Sequence, residues 1–330
     1  MATADGTFVI ALEEHYSDAQ VAAAAPRPAT PPSGALGGPN MYAQLMPILQ
    51  DIGEGRIAEM DRNGIDVQVL SHVPGPVQQL APEVVIPMAI EANNRLHEAT
   101  QRNPDRLAAF AMLPTPDPLA AADELERTVK ELGFKGAMIH GRSQGLYHDD
   151  KRFWPIFERA EALDVPIYLH PGPPHEAVMQ AYINDYVGDF PGLTNAAWGY
   201  TIDTASQALR MILSGMFQEY PNLKVILGHM GEALPFLVDR VDEAINRGPN
   251  KIPFKRIFSD NFYVTCSGHF STPALICTLL ELGIDHVLFS IDYPFVENPP
   301  GMKWMETVPL SFDDREKMFN ANARRLLKLQ

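Results

Sequence analysis

The sequence predicts an α/β protein built as a (β/α)8 (TIM) barrel, and three observations point that way. Eight short apolar runs, many of them β-branched, alternate strictly with eight segments of helical spacing. A length of 330 residues suits one barrel of about 250 residues enlarged by loop insertions. Several of the apolar runs end in charged or metal-capable side chains, at the strand ends where such barrels keep their chemistry.

The predicted strands lie near 7 to 13, 66 to 72, 107 to 113, 136 to 140, 166 to 170, 224 to 229, 262 to 267 and 286 to 292. Continuous apolar runs of this length suit strands covered on both faces, as in a parallel sheet. Helical spacing occurs near 42 to 63, 80 to 103, 117 to 132, 152 to 163, 201 to 219, 232 to 247, 272 to 283 and 312 to 327. Pro116 and Asp117 mark a helix start and Gly133 a helix stop. Strict alternation over eight units favours a closed barrel over an open doubly wound sheet. Residues 1 to 330 are accordingly expected to form a single domain with an irregular loop, rich in Ala, Pro and Gly, inserted at 22 to 40.

Composition narrows the function. A formal net charge of −15 disfavours nucleic acid, whose phosphates call for clustered Lys and Arg. Hydrophobic residues at 46% and charged residues at 20% describe a chain able to bury a large core. No apolar run reaches the roughly 18 residues of a membrane span, and no basic stretch leads into an apolar one near the N-terminus, so the expected location is the cytoplasm. Cys266 and Cys277 match no zinc motif and read as reduced thiols.

The strand ends carry the chemistry. The first strand ends in ALEEHY, the fifth in YLHP, the sixth in LGHMGE and the eighth in FSIDYPF. Alternate residues of a strand share a face, so Glu13 and His15 can meet one ion while Glu14 faces elsewhere. With His170 and Asp292 they form a set of two imidazoles and two carboxylates, which suits one divalent ion such as Zn²⁺ or Mn²⁺. His229 and Glu232 lie three residues apart where the sixth helix begins. Glu232 either fixes the tautomer of His229 or favours the helix dipole.

The segments ALEEH (11 to 15), GFKGAMIHGRSQG (133 to 145), DVPIYLHP (164 to 171), LKVILGHMGEALPF (223 to 236), VLFSIDYPF (287 to 295) and NARRLLKL (322 to 329), in this order, resemble the amidohydrolase superfamily. Within it they resemble the branch of metal-dependent nonoxidative decarboxylases that includes γ-resorcylate and 2,3-dihydroxybenzoate decarboxylases. The resemblance implies an amidohydrolase-like barrel with one catalytic metal at Glu13, His15, His170 and Asp292, a His–Glu pair at His229 and Glu232, and a functional arginine at Arg240. Most members open with HxH, and many binuclear ones carry a lysine at the end of the fourth strand. Here ExH opens the chain and His140 stands at the lysine's place, which favours one metal over two. His140 either faces the substrate or packs in the barrel. The insertion at 22 to 40 and His175 in PGPPH depart from the decarboxylase pattern and bear on substrate choice.

The expected reaction is loss of CO₂ from a hydroxylated aromatic acid. Asp292 protonates the ring carbon, His229 resupplies the proton, and Arg240 offsets substrate charge. Tyr293, Phe295 and Trp198 offer flat apolar walls. An aspartate bound to a dication is a poor acid, so this scheme needs Asp292 to loosen its metal contact or gain the phenolic proton. The metal ligands alone also fit a hydrolase or hydratase in which Asp292 is general base to an activated water. A binding protein using the barrel without chemistry predicts no tight metal retention. A homodimer or homotetramer is expected from the resemblance.

Overall fold

The computed structural model of the chain describes residues 6–24 and 41–329. Most of the Ala/Pro-rich insertion, 25–40, lies outside the described residues. The strands are β1 (Ile10–Tyr16), β2 (Val67–His72), β3 (Leu107–Ala109), β4 (Ala111–Met112), β5 (Ala137–His140), β6 (Ile167–His170), β7 (Val225–Leu227), β8 (Phe262–Thr265) and β9 (Val287–Leu288). All pair in parallel with their sequence neighbours, in the orders β1-β2-β3 and β4 to β9.

Two junctions close these sheets into a (β/α)8 barrel. The third predicted strand breaks at Phe110. The Phe110 amide donates to Leu70 O at 2.9 Å and the Ala111 amide to Gly136 O at 2.9 Å, so one strand serves both neighbours in turn. At the other seam Leu12 N donates to Phe289 O at 3.2 Å and His15 N to Tyr293 O at 2.7 Å. Single ladder bonds of this kind are what strand tilt leaves where a barrel closes.

The core has two layers. Ile10, Leu12, Val67, Val69, Phe110, Met138, Tyr168, Ile226 and Leu288 fill the barrel interior. Ala323, Leu326 and Leu327, from the helix Asn322–Leu327, join that cluster. A larger apolar layer lies between strands and helices, for example Ile139, Leu169, Phe157, Met211 and Phe258.

The helical segments differ from expectation mainly by subdivision. The segment near 42 to 63 divides into Met41–Gln50 and Glu54–Asn63, where Asp51 accepts from the Gly53 amide at 2.9 Å and turns the chain. The segment near 201 to 219 divides into Gly199–Leu213 and Met216–Glu219 about Gly215, whose φ is +90°. The helices Glu176–Tyr182, Phe254–Asn261 and Asn298–Thr307 fall in stretches predicted as loops. No helix among the described residues is long and apolar enough to cross a membrane.

Candidate metal centre

The first strand carries the feature that builds the site. Between Ala11 and Glu14 the register of β1 against β2 slips, so that three residues of β1 span two of β2. Bulges at barrel rims re-aim side chains. Glu13 and His15 turn into the barrel mouth, while Glu14 turns sideways. Its carboxylate accepts from Ile291 N at 2.9 Å and from Gln68 Nε2 at 3.2 Å. Burial pushes the Glu14 carboxyl up to about 8.

Glu13, His15, His170 and Asp292 each present one ligand atom within 4.8 Å of the others. His170 Nε2 lies 3.1 Å from Glu13 Oε1, and His15 Nε2 lies 3.2 Å from Asp292 Oδ1. Both imidazoles are anchored through Nδ1, His15 beside Ser71 Oγ at 3.2 Å and His170 on Pro171 O at 2.9 Å, which leaves Nε2 facing the cluster. Burial lowers His15 to about 4, holding it as the neutral, ligating imidazole. Glu13 Oε1, His15 Nε2 and Asp292 Oδ1 are buried without a hydrogen-bond partner. Two carboxyl groups and two imidazoles at one spot, three of their ligand atoms without a hydrogen-bond partner, fit one divalent metal ion.

The two carboxyls differ in charge state. Burial by itself would raise Glu13, but the neighbouring His229 and His170 hold it well below the usual carboxylate range. Burial and the neighbouring Glu13 raise Asp292 well above that range. Where two carboxylates face one another, the better-solvated or better-paired one ionises and the other keeps the proton.

The segment after β7 turns sharply. His229, Met230, Glu232 and Ala233 all take positive φ, between 51° and 63°, and so does Asp292, at 74°. Non-glycine residues in that region carry backbone strain, which gathers at functional sites. The turn sets His229 Nδ1 against Glu232 Oε1 at 2.7 Å, and Glu232 is buried. His229 Nε2 then lies 4.0 Å from both Glu13 Oε1 and Asp292 Oδ2. Burial opposes charge on His229, but Glu232, Glu13 and Asp292 push its pKa up to about 10.

The amidohydrolase family model matches residues 18–329. The chain belongs to the amidohydrolase family. It is 39% identical over 334 residues to the γ-resorcylate decarboxylase of Rhizobium sp. (strain MTP-10005), covering 97% of this chain and 98% of that one. Among solved structures it is similar to 2,6-dihydroxybenzoate decarboxylase in complex with 2,6-dihydroxybenzoate, with a TM-score of 0.88 and 36% identity over 98% of this chain and 99% of that one. It is also similar to a dihydroxybenzoic acid decarboxylase from Polaromonas sp. JS666 with bound manganese and the inhibitor 2-nitroresorcinol, with a TM-score of 0.87 and 37% identity over 98% and 97% of the two chains.

Not every predicted residue of this amidohydrolase gathers at the centre. His140 does, its ring 4.7 Å from that of His170. Phe295 packs edge-on against His15 at 5.5 Å. Tyr293 contributes its carbonyl to the barrel seam, and its ring lies 5.2 Å from the guanidinium of buried Arg56. Trp198 is half-exposed and lines a small pocket with Tyr147, Pro174, Tyr182 and Asp203, which includes none of the four ligand residues. His175 is exposed and caps the helix Glu176–Tyr182, its Nδ1 accepting from Ala177 N at 3.1 Å. Arg240 is exposed on the helix Leu234–Ile245, and neither acidic neighbour holds it: Asp239 pairs with Lys255 and Glu243 with Arg247.

Other residues reach the amidohydrolase site without having been singled out in the sequence. Arg56 donates to His15 O at 2.6 Å, to Asp51 O at 3.0 Å and to Gln68 Oε1 at 3.2 Å. Tyr168 and Ser267 both donate to Glu13 Oε2. Tyr168 is two residues before His170, so the alternation that pairs Glu13 with His15 also places it on the inner face.

Proposed function

We propose that this amidohydrolase is a metal-dependent nonoxidative decarboxylase of a hydroxylated aromatic acid of the resorcylate or dihydroxybenzoate type, acting as a single barrel domain over residues 1–330. The observation that carries the proposal is the pairing of Asp292 with the His229–Glu232 dyad, 4.0 Å away, beside a four-residue ligand set. The whole-chain similarity to γ-resorcylate decarboxylase supports the same substrate class.

Glu13, His15, His170 and Asp292 would hold a divalent ion, whose positive charge would lower the pKa of a substrate phenol ortho to its carboxylate and so favour electron density in the ring. Asp292, once it loosens its metal contact or takes up the phenolic proton, delivers the proton that the ring carbon takes up. The carbon–carbon bond to the carboxylate then breaks, CO₂ leaves, and the bonding pair returns to the ring. His229, kept charged by Glu232, returns a proton to Asp292. Phe295 and His140 flank the ligands, where each would wall and orient the aromatic ring.

The same reading makes the protein a homodimer or homotetramer. Phe236 and Leu280 are 81% and 80% exposed on the helices Leu234–Ile245 and Thr272–Leu282, which pack side by side. Arg240 stands one turn after Phe236 on the same helix face, so its part in offsetting substrate charge is proposed across a subunit contact. Manganese is the favoured ion, since it occupies the Polaromonas relative, with zinc as the alternative. Cys266 and Cys277 are both free thiols, in keeping with a cytoplasmic setting.

The test is CO₂ release from a panel of hydroxybenzoates by manganese- and zinc-loaded protein, alongside lactone and amide substrates. Metal-dependent CO₂ release that Asp292→Asn abolishes is expected. Hydrolysis without CO₂ release would replace this reading with a water-activating one.

A further inference from the structure

Three hydroxyl groups enclose the far side of Glu13. Tyr168 of β6, Thr265 of β8 and Ser267 just beyond it are buried, at 0%, 0% and 1% exposure. Tyr168 Oη and Ser267 Oγ each donate to Glu13 Oε2. Thr265 Oγ1 lies 2.7 Å from Tyr168 Oη and 2.6 Å from Ser267 Oγ, and those two lie 3.1 Å apart. Each hydroxyl has one proton, and a carboxylate oxygen can only accept. Tyr168 and Ser267 therefore commit their protons to Oε2, and Thr265 gives its own to one of them. The three protons all run toward one oxygen, and hydrogen bonds chained in this way reinforce one another.

The other oxygen is treated differently. Glu13 Oε1 has no hydrogen-bond partner and faces His170 Nε2 at 3.1 Å. Backbone shape preserves the division. A Cβ at Gly228 would come within 2.8 Å of Glu13 Oε2, 3.2 Å of Tyr168 Oη and 3.4 Å of Ser267 Oγ, so any side chain there would invade the hydroxyl ring.

We propose that Tyr168, Thr265 and Ser267 are positioning residues that commit Glu13 to the metal through Oε1 alone, an inference that rests on the metal centre proposed above. Swinging Oε2 toward the ion would strip two hydrogen bonds from the oxygen of a fully buried carboxylate. A carboxylate that binds through one oxygen takes one coordination position instead of two, and a catalytic ion must keep positions open for its substrate. Loss of such outer partners weakens metal binding by about 10- to 100-fold.

The test is titration of metal-free protein with Mn²⁺ against a competing chelator, free Mn²⁺ being read by its electron paramagnetic resonance signal. The unsubstituted chain is compared with Tyr168→Phe, the double variant Tyr168→Phe/Ser267→Ala, Thr265→Val and Thr265→Ser. Tyr168→Phe and Thr265→Val remove a hydroxyl at nearly constant shape, whereas Thr265→Ser keeps it. About 10-fold weaker binding in Tyr168→Phe is expected, with a larger loss in the double variant, a loss in Thr265→Val that Thr265→Ser restores, and thermal midpoints of the metal-free variants near that of the parent. Unchanged Mn²⁺ affinity in Tyr168→Phe and the double variant would overturn the inference. So would a loss in Thr265→Ser as large as in Thr265→Val, because packing alone would then explain it. If Tyr168→Phe does not fold, the Thr265 pair decides by the same criterion. Absence of saturable binding by the unsubstituted chain, with Mn²⁺ and with Zn²⁺, would overturn the metal centre itself, and is told apart by being present before any substitution.

Discussion

At the N-terminal end of the barrel, Ala323, Leu326 and Leu327 lie in one apolar cluster with Ile10, Val67 and Leu288. At the other end of the same strands, two carboxylates and three imidazoles meet around Glu13, several of their atoms unpartnered, on backbone that takes positive φ at His229 and Asp292. The first end is a packed cluster of buried apolar side chains. The second concentrates unmet polar groups and strain, which is the stored imbalance a metal ion and a substrate would relieve. Stability and chemistry are thus segregated along one set of strands, as barrels of this type allow.

Substitutions at the two ends should therefore separate cleanly. The largest effect is expected for Asp292→Asn, which with saturating Mn²⁺ should lower kcat by about 10³-fold through loss of the proton donor. Stopped assays of CO₂ release would measure it, and retention of most activity would place the donor elsewhere. At the opposite end Leu326→Ala should lower unfolding free energy by about 3 kcal/mol, read from denaturant melts. Activity per folded molecule should stay near that of the parent, and a matching loss of kcat would break the separation.

Glu232→Gln sharpens the polar side of the comparison. It removes the charge that keeps His229 protonated, so about a 10-fold fall in kcat is expected, together with a downward shift of the basic limb of the pH profile. An unmoved limb would mean that His229 does not supply the proton.

A smaller effect concerns His148, buried with its Nε2 2.8 Å from Ser143 Oγ and lowered by burial to about 4 from an ordinary 6.5. The unfolded chain takes up this proton first as pH falls, so stability is lost between about 6.5 and 4. The metal-free protein should lose about 2 kcal/mol from this residue by pH 5. Denaturant melts at pH 7 and 5 should show that His148→Asn flattens the dependence by this amount, and equal slopes would remove His148 from the account.

Much of this architecture is legible in the residues. Parallel strands buried on both faces leave continuous apolar runs, so runs such as PIYLH and KVILGH stand out. The break at Phe110 is invisible in LAAFAML, because it arises from which neighbour each amide meets and from nothing in the run itself. The helix Phe254–Asn261 was within reach, since Phe254, Ile257 and Phe258 follow helical spacing and are buried. At the site, alternation within one strand picks out Glu13 with His15, and the same rule extends to Tyr168 with His170. Ser267 is different. It reaches Glu13 across 254 residues, and no local pattern reports a meeting of that kind. Nor does spacing reveal that Trp198 and His175 end on an exposed flank, since loop paths follow contacts the sequence does not spell out.

The seam where β1 meets the segment after β9 also has a consequence for how the protein is made. The Glu13 amide donates to Ser290 Oγ at 2.9 Å across 277 residues, so Glu13 and Asp292 come together only when the first strand docks beside the last. A chain leaving the ribosome carries Glu13 and His15 long before Asp292 exists. Because loops of that length close late in folding, the four-ligand pocket is assembled after most of the polypeptide has been translated, and a half-built chain offers a passing metal ion only fragments of a site.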